Sequence, residues 1–146
     1  TSEVIKKCYD ELILNKVELK GTILKPNMIL PGNNSKEKIS SEEISKLTVK
    51  CLKDSVPTEV PGIAFLSGGQ TEKEATENLN SINKNNNTNF IMTYSYGRAL
   101  QQSALKFWSK NTKDIKGTQA TFNHRANMCY LAAQGKWSQN IEKKDN

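Results

Sequence analysis

Three short apolar runs, each closed by a turn and followed by a stretch of helical periodicity, constrain what this chain can fold into. The clearest is Gly62-Ile63-Ala64-Phe65-Leu66, bounded by Pro61 on one side and Ser67-Gly68-Gly69 on the other. A run this short and this continuously apolar matches a parallel strand buried on both faces. The second spans roughly Val17 to Lys25 and is stopped by Pro26, which cannot donate to a sheet ladder. The third is Phe90-Ile91-Met92-Thr93-Tyr94, followed by Ser95-Tyr96-Gly97-Arg98. Strands alternating with helices of ordinary length imply right-handed βαβ units and a parallel sheet, so the fold class is α/β.

The helices carry their own start and stop signals. An amphipathic helix opens the chain, with Val4, Ile5, Cys8, Tyr9, Leu12 and Ile13 at helical spacing, Ser2 as its cap, and Asn15-Lys16 ending it. The polar segment from Pro31 to Ser40 is a loop. Ser40 with Glu43 forms a capping box for a helix burying Ile44, Leu47, Thr48, Cys51 and Leu52. Thr71 with Glu74 repeats the device ahead of Ala75, Leu79 and Ile82. The low-complexity stretch from Asn83 to Asn89 is expected to be a flexible surface loop. A helix carrying Ala99, Leu100, Ala104 and Phe107 follows Arg98, and a polar linker spans Ser109 to Gly117. The last helix runs from about Thr118 to Gln134 and is capped by Gly135. Residues 1–137 thus form the folded portion, and residues 138–146 a polar, frayed tail.

Length and charge narrow the function classes. At 146 residues the chain has room for one domain with a real core. No apolar run approaches the length of a membrane span, so no membrane partner is expected. The formal charge of +6 suits an anionic partner, yet the lysines are spread along the chain. Lys143-Lys144 and Lys36/Lys38 are too sparse for a nucleic-acid arm, so no nucleic-acid partner is expected. Cys8, Cys51 and Cys129 lack zinc spacing and read as reduced, packed thiols of a cytoplasmic protein. His124 is the sole histidine, which excludes a histidine-based triad or a multi-histidine metal site within this chain. The start at Thr1-Ser2-Glu3 reads as that of a processed, excised or incomplete piece.

The chemistry-bearing residues cluster at strand ends. In parallel α/β architectures the carboxyl ends of the strands share one face, so Lys25, Ser67-Gly68-Gly69 and Ser95-Tyr96-Gly97-Arg98 are expected to converge. A lysine in apolar surroundings can lose its proton and act as an amine nucleophile. Its alternative is a lysine leaving a strand end with its head in water. Glycines at a strand-to-helix turn let backbone N–H groups approach an anion, and Arg98 offers a charge-assisted contact to the same group.

At these residues the sequence resembles the class I, Schiff-base fructose-1,6-bisphosphate aldolases. The resemblance rests on Gly21-Thr22-Ile23-Leu24-Lys25-Pro26-Asn27-Met28, on Pro61 through Gln70, and on Ser95-Tyr96-Gly97-Arg98-Ala99-Leu100-Gln101. It extends through Glu74 to Asn80, Ser103 to Trp108, and the last helix as far as Trp137. It implies the last three βα units and terminal helix of a (β/α)8 TIM barrel, not a closed barrel on its own. By the same resemblance Lys25 forms the imine, Ser67, Gly68, Gly97 and Arg98 hold a substrate phosphate, and Ser95 lies beside the imine. The implied reaction cleaves fructose 1,6-bisphosphate to dihydroxyacetone phosphate and glyceraldehyde 3-phosphate, a glycolytic lyase step, with no cofactor and no metal.

The earlier strands of the family, with its acid, base and clamp residues, have no counterpart here. Glu18, Glu37 and Glu43 do not match them, and no general base is assigned. The family's tail, ending in a tyrosine, has no counterpart in Ser138 to Asn146. The implied partners are a phosphorylated sugar and either a family-type homo-oligomer or a complementary N-terminal barrel segment. The isolated chain is expected to be impaired in catalysis and poorly stable. Its alternative role is that of a catalytically inactive fragment binding phosphate or protein.

Overall fold

The computed structural model describes residues 1–32, 34–35 and 37–144. Its elements run α1 (Ser2–Leu14), β1 (Ile23–Leu24), α2 (Ser41–Ser55), β2 (Gly62–Phe65), α3 (Glu72–Asn85), β3 (Ile91–Tyr94), α4 (Arg98–Lys110), α5 (Ile115–Ala133) and α6 (Gln139–Lys144). The three strands form one parallel sheet in the order β1-β2-β3, open at both edges among the described residues. The register pairs Leu24 with Ile63 and Ile63 with Met92. It continues beyond the strands: the Leu66 N–H donates to the Pro26 carbonyl (3.1 Å) and the Ser95 N–H to that of Phe65 (2.8 Å). The alternation read from the sequence is therefore the architecture, an open three-stranded parallel sheet with helices between its strands.

Helices cover only one face of the sheet. Ile63, Phe65 and Met92 point into the core with Leu52, Val60, Leu79, Ile82, Met128 and Ala132. Burying each large side chain contributes about 1.5–3 kcal/mol before the entropy cost of ordering it. The opposite face carries Ile23 (68% exposed), Ile91 (74% exposed) and half-buried Gly62, Ala64 and Thr93. The expectation that β2 is buried on both faces is corrected: one face is packed and the other open.

Local signals decide most boundaries. Ser40 accepts from the Glu43 N–H (3.2 Å), and Thr71 and Glu74 exchange both halves of a capping box. At the end of α5, Gly135 (φ +68°) donates to Ala132 while Lys136 donates to Leu131, satisfying the last carbonyls in a Schellman arrangement. The strand expected from Val17 shrinks to two residues. Lys16 turns the chain in the left-handed region (φ +57°), and Leu19–Gly21 makes a 3-10 turn whose Leu19 is buried. The Thr22 hydroxyl donates to the Leu19 carbonyl (2.7 Å) and holds this turn closed.

Other expectations are also corrected. Leu47 is exposed on α2, where Ser45 and Val49 are buried, and Cys8 faces solvent on α1 with Val4 and Ile13. Part of the asparagine-rich stretch continues α3, and Asn86 then bonds the Phe90 carbonyl (3.0 Å) and the Thr88 N–H (3.0 Å), an ordered Asx turn. α5 begins at Ile115, because Asp114 caps it by accepting from the Gly117 N–H (2.8 Å). The tail expected to fray from Ser138 instead forms α6 through Lys144, anchored by buried Glu142. Asp145 and Asn146 of that tail, like Asn33 and Lys36 of the polar loop, lie outside the described residues.

Candidate active site

The site is assembled where β1, β2 and β3 end side by side. Neighbouring strands sit about 4.8 Å apart, so the outer two ends lie within about 10 Å of each other. Lys25 directly follows Leu24, and alternation turns it to the open face of the sheet, level with Ala64 and Thr93. It is exposed there, as in the alternative of a lysine leaving a strand end with its head in water. Pro26 directly after it is buried and Met28 is nearly inaccessible, so the backbone is anchored on the carboxyl side of Lys25.

The turn after β2 is shaped by two left-handed glycines, Gly68 (φ +61°) and Gly69 (φ +84°). Gly68 also sits against the segment carrying Lys25, because a Cβ there would fall 2.8 Å from the Asn27 Oδ1. Gln70 closes the turn through its backbone N–H (3.1 Å) and its Nε2 (2.7 Å), both donating to the Ser67 carbonyl. Gln70 Oε1 in turn accepts from Asn78 Nδ2 (2.6 Å), and its Nε2 lies 3.6 Å from Met28 Sδ. Ser67 itself is buried, while both glycines are open to solvent.

The turn after β3 is held from beneath. Tyr96 is buried, and its hydroxyl donates to the Ala75 carbonyl of α3 (3.0 Å). Burial, with smaller contributions from Cys129 and Tyr94, pushes this phenol far above its ordinary pKa, so it remains a donor. With Tyr96 pointing inward, Ser95, Gly97 and Arg98 are left exposed. Gly97 caps α4 without a side-chain hydrogen bond. That differs from α3, where the Thr71 hydroxyl already accepts the Glu74 N–H and the first turn carries Glu72 and Glu74. Of the two helix starts, α4 is therefore the one open to an anion.

The structure thus brings together the ends bearing Lys25, Ser67-Gly68 and Ser95-Gly97-Arg98. Asn27, Gln70, Asn78 and Tyr96, which position them, were not singled out by sequence reasoning. A glutamine directly after paired glycines was the available signal.

The whole chain, residues 1–146, matches the family model described as fructose-bisphosphate aldolase class-I. The chain belongs to the class-I fructose-bisphosphate aldolase family. Among curated relatives, a "Probable fructose-bisphosphate aldolase class 1" of Xylella fastidiosa is 42% identical over 138 residues, covering 94% of this chain and 41% of the relative. "Fructose-bisphosphate aldolase 4, cytosolic" of Arabidopsis thaliana is 47% identical over 127 residues, covering 86% and 32% respectively. A co-crystal structure of fructose-bisphosphate aldolase from Plasmodium falciparum superposes with a TM-score of 0.90 at 39% identity, covering 94% of this chain and 40% of that one. The chain therefore spans about a third to two fifths of the length of these relatives, in keeping with part of a (β/α)8 barrel.

Proposed function

We propose that this chain supplies the imine-forming lysine and one phosphate clamp of a fructose-1,6-bisphosphate aldolase. The carrying observation is the shared strand-end face, on which Lys25 stands beside a Ser67-Gly68 turn that Asn27 touches directly. Lys25 Nζ attacks the ketose carbonyl, and loss of water gives a protonated imine. That imine takes up the electron pair released when the adjacent carbon–carbon bond breaks, and the aldehyde phosphate leaves. The enamine is then protonated and hydrolysed, which releases dihydroxyacetone phosphate and restores the amine. Ser67, Gly68, Gly97 and Arg98 hold the phosphate, with Arg98 supplying charge and the turns supplying N–H donors. Ser95 lies beside the imine.

Catalysis needs further βα units, provided by a complementary barrel segment or within a family-type oligomer. The open edges of β1 and β3 and the exposed Ile23 and Ile91 support this requirement. Three free thiols and the cytosolic name of the Arabidopsis relative support action in the cytoplasm. The same open sheet face favours a second reading, in which the chain alone binds phosphate without turnover.

Borohydride reduction in the presence of dihydroxyacetone phosphate, followed by peptide mass spectrometry, tests the proposal. A reduced adduct on Lys25 is the expected result. Phosphate binding with no adduct would favour the binding module, and an adduct confined to other lysines would overturn the assignment.

A further inference from the structure

Behind the two anion-facing turns lies a buried ionic network for which imine chemistry has no use. Glu72, the first residue of α3, accepts the Ser103 backbone N–H at Oε1 (2.8 Å) and the Ser103 hydroxyl at Oε2. Its Oε2 also faces Arg125 Nε of α5 at 3.9 Å. Arg125, 7% exposed, reaches Thr76 Oγ1 (3.2 Å) through Nη1 and grips both oxygens of Glu142 on α6. Glu142, 2% exposed, also accepts the Trp137 indole N–H (2.8 Å), and His124 Nε2 lies 3.7 Å from it.

Dehydrating such charges is costly, and apolar side chains of similar size often serve stability at least as well. What the network supplies is geometry. α4 packs chiefly on α5, α3 packs on both α2 and α5, and α3 and α4 pack only lightly on one another. Glu72 and Ser103 tie them directly, Arg125 fixes that tie to α5, and Glu142 locks Arg125 from α6. The first turn of α3 follows the Ser67–Gln70 turn, and α4 starts from Gly97. The β2–β3 ladder fixes the two chains as far as Phe65 and Ser95, and beyond that point the separation of α3 and α4 governs how Ser67-Gly68 stands to Gly97-Arg98.

We propose that Glu142 and Arg125 are positioning residues for phosphate: docking of α6 through Glu142 holds the two turns at the spacing at which they bind one phosphate together. This rests on the phosphate assignment given under the proposed function.

The test measures inorganic phosphate affinity of the full chain calorimetrically, well below the melting temperature of every variant. Glu142→Gln is expected to weaken phosphate binding at least fivefold. It is also expected to raise the dihydroxyacetone phosphate concentration for half-maximal borohydride trapping without lowering the yield at saturation. Ile82→Val, a core change at a side chain that makes no hydrogen bond in the network, provides the comparison for destabilisation alone and should leave both quantities within twofold. Should Glu142→Gln fail to fold, Trp137→Phe and Ser103→Ala, which each remove one hydrogen bond, are expected to weaken phosphate binding twofold or more. Unchanged affinity in whichever of these variants fold overturns the positioning role, whatever happens to their melting temperatures. A wild-type chain that binds no phosphate overturns the phosphate assignment itself, and this proposal with it.

Discussion

Gly68 stands so close to Asn27 that the Cβ it lacks would fall 2.8 Å from the amide oxygen. This contact joins the turn after β2 to the segment bearing Lys25. The same residue has φ +61°, where an L side chain costs about 1–2 kcal/mol. Gly68→Ala should therefore lower stability by about that amount and push Asn27 away from the turn. Denaturant titration reads the first effect and phosphate affinity the second. A variant with wild-type values for both would refute the joint role of this glycine.

Tyr96 anchors the turn after β3 through one hydrogen bond to the Ala75 carbonyl (3.0 Å). Tyr96→Phe keeps the ring and its tilted contact with Tyr94, whose centroid is 5.3 Å away, and deletes only the donor. The expected cost is about 1 kcal/mol. It should appear as a lower urea midpoint with an unchanged slope. A changed slope would indicate instead that the denatured or native ensemble had been altered.

Much of this site was legible because its signals are local. Gly68-Gly69 announces a turn needing positive φ, Thr71 with Glu74 announces a helix start, and Pro26 announces a strand end. The apolar run Gly62–Phe65 gave strand position correctly but not its exposure, which depends on what lies across the sheet. The two-residue extent of β1 was hidden for a related reason, since Val17–Gly21 has strand-like composition and yet turns at Lys16 and Leu19. α6 was missed because its anchor is nonlocal. Glu142 is one charge in a polar tail until Arg125 and Trp137 are brought against it.

Lys25→Arg separates charge from nucleophilicity. A guanidinium stays protonated and forms no stable imine under these conditions, while the positive charge at the strand end is kept. Borohydride trapping with dihydroxyacetone phosphate should disappear. Phosphate affinity should remain within twofold, because Lys25 is assigned to the carbonyl and not to the clamp. Residual trapping at wild-type yield would mean that another lysine carries the imine.

Acid should release α6 before it unfolds the core. Burial alone would raise the Glu142 pKa, but hydrogen bonds from Arg125 and Trp137 and the charges of Arg125 and His124 together hold it below the ordinary value of 4.5. The folded carboxyl thus binds its proton less readily than the unfolded one, so stability rises with pH across this interval. Its contribution is complete above the unfolded value and is lost as pH falls through the depressed folded value. Glu72, Lys73, Lys106, His124 and Arg125 line the same cleft. Glu142→Gln isolates the one group: the stability difference between wild type and variant should be flat above about pH 5 and shrink steadily below about pH 4. Tryptophan fluorescence of Trp137, read against a Trp108→Phe background, reports the docking locally. A stability difference that stayed constant from about pH 3 to about pH 6 would show that the Glu142 charge does not hold α6 in place.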